Sequence, residues 1–125
     1  MKYTTKPYLI RAIYNWCIDN KYLPYILVYI DENLQIPLYL KNQDSIVFNI
    51  DPEAVYNLEI NNHFINFEAR FNGNKELLSI NIDNIISIYA YENQIGLHFD
   101  IESSAKANNI ENKSIKNKTK LRLVD

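Results

Sequence analysis

The chain has 125 residues, 47% of them hydrophobic and 22% charged, with a formal net charge of −2. That is one domain's worth of chain with enough apolar surface for a real core, and no basic field that would make nucleic acid a favoured partner. The single cysteine, Cys17, closes no intrachain disulfide and fits a reducing cytoplasm, no apolar run approaches the ~20 residues of a membrane span, and Met1 and Lys2 lead into polar Thr4 and Thr5 rather than an apolar leader.

The first element reads as a helix. In "TTKPYLIRAIYNWCIDNKY" Pro7 stands where a first helical turn tolerates it, with Thr5 or Lys6 at the cap. Leu9, Ala12, Ile13 and Trp16 follow a buried-stripe spacing, and Ile10, Tyr14, Cys17 and Ile18 form a second stripe beside it. A helix apolar on most of its circumference needs cover on two sides. Either it sinks into its own core, or one face meets the sheet and the other a partner subunit; periodicity leaves both open.

From Pro24 the texture is β. "YILVYI" is a continuous apolar run, as in a strand buried on both faces, and "IPLYL" and "SIVFNI" are further short runs split by the turn composition "KNQDS". Pro52 fixes a turn in "DPEAVYN". "LEI", "NNH" and "FINFEARF" form a hairpin in which Ile65, Phe67, Ala69 and Phe71 share one face and Asn66, Glu68 and Arg70 the other. After the "NGN" turn, "ELLSINI" points Leu78, Ile80 and Ile82 inward, and "IISIYAYEN" and "GLHF" are the last two strands, ending near Phe99. The pattern predicts an α+β domain: one N-terminal helix followed by a curled antiparallel, Sm-like barrel-type β domain over residues 1–101. Residues 102–125, rich in Asn, Lys, Ser and Glu, predict a disordered C-terminal tail that nevertheless ends in apolar Leu121, Leu123 and Val124.

No catalytic motif stands out. Two glycines, Gly73 and Gly96, are too few for a phosphate cradle, and His63 and His98 lack ligand-spaced partners, so no metal or other cofactor is expected. Cys17 reads as an inert packing thiol. Ala54 and Ala69 are small residues among large ones. They either pack against bulky neighbours or floor a channel in which an extended peptide approaches the backbone.

"KPYLIRAIYNWCIDN" resembles the opening helix of the stringent starvation protein B family, whose pattern is R/K-P-Y-L-L-R-A-x-Y-x-W-x-x-D-N; Pro7, Tyr8, Leu9, Arg11, Ala12, Tyr14, Trp16, Asp19 and Asn20 match. The likeness continues through Pro24, Ile36-Pro37, residues 46–50, residues 57–60, residues 67–73 and residues 87–94, and again at the tip Leu121-Arg122-Leu123-Val124-Asp125. Asn72, Tyr91 and Gln94 depart from the family pattern, and Asp125 stands where a lysine is usual. The resemblance implies a cytoplasmic adaptor of the ClpXP protease, not an enzyme. It implies a homodimer built on Leu9, Ile10, Ile13, Tyr14 and Cys17, and a groove for ssrA-tagged polypeptides lined by Ala54, Val55, Leu58, Phe67, Ala69, Arg70 and Phe71. It further implies a tail that docks Leu121, Arg122, Leu123 and Val124 on the N-terminal domain of ClpX. The competing reading from the residues alone is an Sm-like β-barrel that binds RNA, against which the acidic balance counts.

Overall fold

The computed structural model describes residues 4–101. Helix α1 (Lys6–Asp19) carries Pro7 in its first turn, where the missing N–H has no helical partner to lose. Its C-terminus closes without a glycine. Lys21 takes a left-handed φ of +61°. The Lys21 N–H donates to Ile18 O at 3.1 Å and the Tyr22 N–H to Cys17 O at 2.8 Å, the crossed pair that satisfies the last carbonyls. Tyr22 then stacks edge-on to Trp16 with ring centroids 5.4 Å apart, the apolar contact that accompanies this cap.

Seven strands follow among the described residues: β1 (Pro24–Tyr29), β2 (Ser45–Asn49), β3 (Tyr56–Ile60), β4 (Phe64–Phe71), β5 (Asn74–Asn81), β6 (Ile85–Ala90) and β7 (Gly96–His98). They form a four-stranded sheet in the order β2-β1-β6-β7 and a three-stranded sheet β3-β4-β5, every pair antiparallel. The barrel-like curl expected from the sequence thus appears as two sheets that do not close on each other. A 3-10 turn at Ile82–Asn84 carries the chain from β5 to β6, and an isolated antiparallel bridge joins Gln35 to Ser79 of β5.

Two local expectations need correction. "YILVYI" is not buried on both faces: β1 alternates, with Pro24, Ile26 and Val28 inside and Tyr25, Leu27 and Tyr29 half-exposed. "IPLYL" is not a strand but a 3-10 turn, Leu38–Leu40, entered from Pro37, and Leu38 projects into solvent. A proline cannot donate to a ladder, and no periodicity within three residues separates the two states.

The core joins both sheets and the helix. Ile26, Val28, Phe48 and Ile88 from the larger sheet meet Ile65, Phe67, Leu78 and Ile80 from the smaller, with Ile10 of α1 fully buried among them. The β4–β5 hairpin turns on Asn72 and Gly73, both at positive φ (+53° and +83°), the two-residue turn whose twist suits antiparallel strands.

Gly96 has a different role. A Cβ there would lie 2.0 Å from the Ile88 carbonyl oxygen and 2.5 Å from Tyr89 Cα, so β7 reaches β6 only because the side chain is absent. Gly96→Ala is expected to push β7 off the sheet and lower stability by about 1–3 kcal/mol in urea unfolding. Lys21→Gly, which relieves the left-handed cap, is expected to raise it by about 1 kcal/mol.

Candidate functional site

The turn between β2 and β3 is built by Asp51. Its carbonyl accepts from Ala54 N at 2.8 Å and Val55 N at 3.2 Å, and its carboxylate accepts from Glu53 N at 3.0 Å. This single helical turn directs Val55 into the core and leaves Ala54 outside. Asn57 then takes a left-handed φ of +54°, and the β3–β4 register slips between Tyr56 and Glu59. Two residues, Asn57 and Leu58, therefore stand opposite one, the arrangement of a β-bulge. The Asn57 amide donates to Glu68 Oε2 at 3.1 Å, and Lys75 Nζ lies 3.3 Å from Glu68 Oε1. Both hold the Glu68 carboxyl below its usual range, the Asn57 hydrogen bond most.

Strand β4 carries four of the seven expected groove residues. Phe67 and Ala69 are buried and Phe71 half-buried on one face, against Phe48, whose ring lies 5.6 Å from Phe67 and 6.3 Å from Phe71. Ala69 is the small step between two phenylalanines. Arg70, by strand alternation, stands on the opposite face, exposed, with Nη1 3.4 Å from Gly73 O. The structure therefore brings Val55, Phe67, Ala69 and Phe71 to the inner side, leaves Leu58 half-buried, and sets Ala54 and Arg70 outside. Leu58 lines a cleft of about 230 Å³ between α1 and β3, with Tyr14, Asn15, Ile60 and Arg11.

Arg11 matches the family pattern in the sequence, which assigns it no role. On the periodicity it belongs to a narrow polar strip. In the fold its guanidinium donates to Ile60 O at 3.1 Å and to Asn62 Oδ1 at 2.9 Å, and lies 4.6 Å from the Tyr8 ring centroid. These partners are about fifty residues away in sequence, beyond any local signal.

The two apolar stripes of α1 separate. Pro7, Ile10 and Cys17 face the chain's own core, with Ile13 and Tyr14 half-buried beside them. Of the five helix positions expected at a dimer face, Ile10 and Cys17 are thus wholly occupied within the chain. Leu9 is exposed, flanked by exposed Tyr8 and Ala12 and half-buried Trp16. The expected docking residues Leu121, Arg122, Leu123 and Val124 lie outside the described residues.

A helix seated against two open antiparallel sheets, with its second apolar stripe uncovered among the described residues, defines an α+β domain. The profile of the family described as Stringent starvation protein B matches residues 4–122. The Stringent starvation protein B homolog of Haemophilus influenzae is 38% identical over 109 residues, which cover 85% of this chain and 71% of that protein. The chain belongs to the stringent starvation protein B family, a family of adaptors.

Burial pushes the Cys17 thiol up to about 11, with the Glu92 carboxylate adding to it. The thiol then binds its proton more tightly in the folded chain than in the unfolded one. Its contribution to stability is fully present below pH ~9 and is lost as pH rises through ~11, about 2–3 kcal/mol at most. Urea unfolding should show this loss between about pH 8 and pH 11, and Cys17→Ala should flatten it.

Proposed function

We propose that this chain is an adaptor that binds ssrA-tagged polypeptides in its β domain and tethers them to the ClpX unfoldase, raising their degradation by ClpXP. The observation that carries the reading is the extent of the family match, which runs from residue 4 to residue 122 and so takes in both the β domain and the start of the apolar tip. On this reading residues 1–101 form the tag-binding unit and residues 102–125 the tether. The inner positions Val55, Leu58, Phe67, Ala69 and Phe71 form the groove, with Ala54 and Arg70 at its margin.

The physics supports a tether. Linking two binding modules by a short chain raises the local concentration of one for the other toward the mM range, so two modest affinities suffice. No covalent step is required of the adaptor. The homodimer belongs to the same reading, but its face is the outer row Tyr8, Leu9, Ala12 and Trp16, with Ile13 and Tyr14 at the edge. An unpartnered apolar row on a helix seeks cover, and the inner row already has it.

Three measurements test the proposal. Ala69→Gln overfills the step between Phe67 and Phe71, and Leu58→Ser removes apolar cover from the bulge. Each is expected to weaken binding of a fluorescent ssrA peptide at least tenfold (about 1.4 kcal/mol) in a chain whose thermal melt remains cooperative. Unchanged affinity in both would remove the groove from this sheet. Leu9→Arg is expected to yield folded monomers in sedimentation; a persistent dimer would move the interface elsewhere. Deleting residues 120–125 is expected to leave tag affinity intact and abolish stimulation of ClpXP at low substrate. Full stimulation by the shortened chain would sink the tether.

A further inference from the structure

Among the described residues, no helix or strand packs on the outer face of the larger sheet. Along β1, β2, β6 and β7 the inner positions build the core, while the outer positions hold half-buried Tyr25, Leu27 and Tyr89, exposed Val47 and His98, and Ser87 buried between them, paired across strands as Tyr25–Tyr89, Leu27–Val47, Leu27–Ser87 and Ser87–His98. Val47 is 46% exposed. Tyr25 stacks on Tyr91 at 4.8 Å and tilts against Tyr89 at 6.1 Å. Beside them, where Gly96 has no side chain, lies a cleft of about 370 Å³ walled by Leu27, Tyr89, Leu97 and His98.

Charge is distributed unevenly around this face. None of the four strands contains Asp, Glu, Lys or Arg, whereas the smaller sheet carries Glu59, Glu68, Arg70, Lys75 and Glu76. Within two residues of the ends of the four strands stand Asp31, Asp44, Asp51, Asp83, Glu92 and Asp100, and no Lys or Arg. The result is an apolar, aromatic field with a rim of one sign. In this chain one segment has the matching character. Residues 102–125 carry six Lys and Arg against three Asp and Glu, while residues 4–101 carry six against twelve. The basic segment ends in Leu121, Leu123 and Val124, with Arg122 between them.

Connectivity agrees. Beyond β7, Phe99 N donates to Ile86 O at 2.6 Å, so the chain leaves the body at the edge of this sheet. The apolar tip begins 20 residues after Ile101. A coil of that length has a root-mean-square reach of about 25 Å, enough to return to the neighbouring face.

We propose that the outward face of the four-stranded sheet is a resting dock for this chain's own tip, residues 121–124. Leu121 and Leu123 seat against the cleft beside Gly96, and the basic residues that precede them meet the acidic rim. The tip is then held in reserve, and any partner that takes it must compete with the body. The inference rests on residues 121–124 being a docking peptide but not on the identity of the partner that takes it.

The test uses the full chain without tag peptide or unfoldase, so its outcome is separable from that of the adaptor reading. A nitroxide is attached at Asp125→Cys, with Cys17, fully buried, left unlabelled. Amide signals of Leu27, Ser87, Tyr89 and Gly96 are expected to broaden, and those of β3 and β5 to stay sharp. Val47→Lys, which sets a charge of the tail's own sign on the apolar face, and Leu121→Asp with Leu123→Asp should each abolish the broadening, and about 0.5 M salt should reduce it. Broadening that is absent, or spread evenly over the body, overturns the proposal. Broadening that grows with protein concentration in a mixture of isotope-labelled and spin-labelled chains assigns the face to a second copy's tip and also overturns it.

Discussion

Everything in this domain depends on helix α1 being held across two sheets that do not close on each other. Ile10 is buried in a core to which both sheets contribute, and Arg11, one position on, donates to Ile60 O and Asn62 Oδ1 at the end of β3. Apolar burial here supplies the driving force and the guanidinium supplies direction. Fully burying an isoleucine side chain is worth about 1.5–3 kcal/mol, and a charged hydrogen bond about 1.5–3 kcal/mol. Further along, burial raises the pKa of the Tyr14 hydroxyl, and the Asp51 carboxylate adds to it. The helix is thus tied to the end of β3 through Arg11, and Tyr14 lines the same cleft as Leu58 of the bulge.

Much of this was legible in the chain. The helix, the hairpins and the inward rows Ile65-Phe67-Ala69-Phe71 and Leu78-Ile80-Ile82 follow from period and turn residues, because those signals lie within ten residues of each other. What the periodicity left open was which helix stripe faces inward. Leu9-Ala12-Ile13-Trp16 and Ile10-Tyr14-Cys17-Ile18 are equally apolar, and the choice is made by the sheets that receive the helix, not by the helix. The groove was legible as a region and less so by residue. Arg70 was grouped with Ala69 though alternation sets them on opposite faces. Ala54 was grouped with Val55 although the Asp51 turn parts them. The contacts of Arg11 are not legible in the sequence because its partners are far away along the chain.

The two sheets divide the labour of the surface. The smaller one is charged, irregular and cross-linked by Asn57, Glu68 and Lys75, features that fix register at an edge strand and discourage indiscriminate pairing. The larger one has uncharged strands and acids only at their ends. A sheet that is merely solvated gains nothing from excluding lysine and glutamate, which are inexpensive to expose. An outward face of tyrosine, leucine and valine costs solubility unless something covers it for part of the time.

That division bears on how a tether would work here. An apolar tip that is always free is a hazard, since it offers the same surface to any exposed apolar patch. If the body holds its tip with a bound fraction of two thirds, the apparent affinity of an outside partner falls about threefold, a modest reduction that competition easily overcomes. The contact needs only weak terms, a few apolar side chains and screened charge, because the chain itself supplies the high local concentration. Tight self-docking would defeat the tether, and no self-docking would leave a bare hook. The charge difference between body and tail sits between those limits, and ionic strength then becomes the variable that sets how much of the hook is on offer.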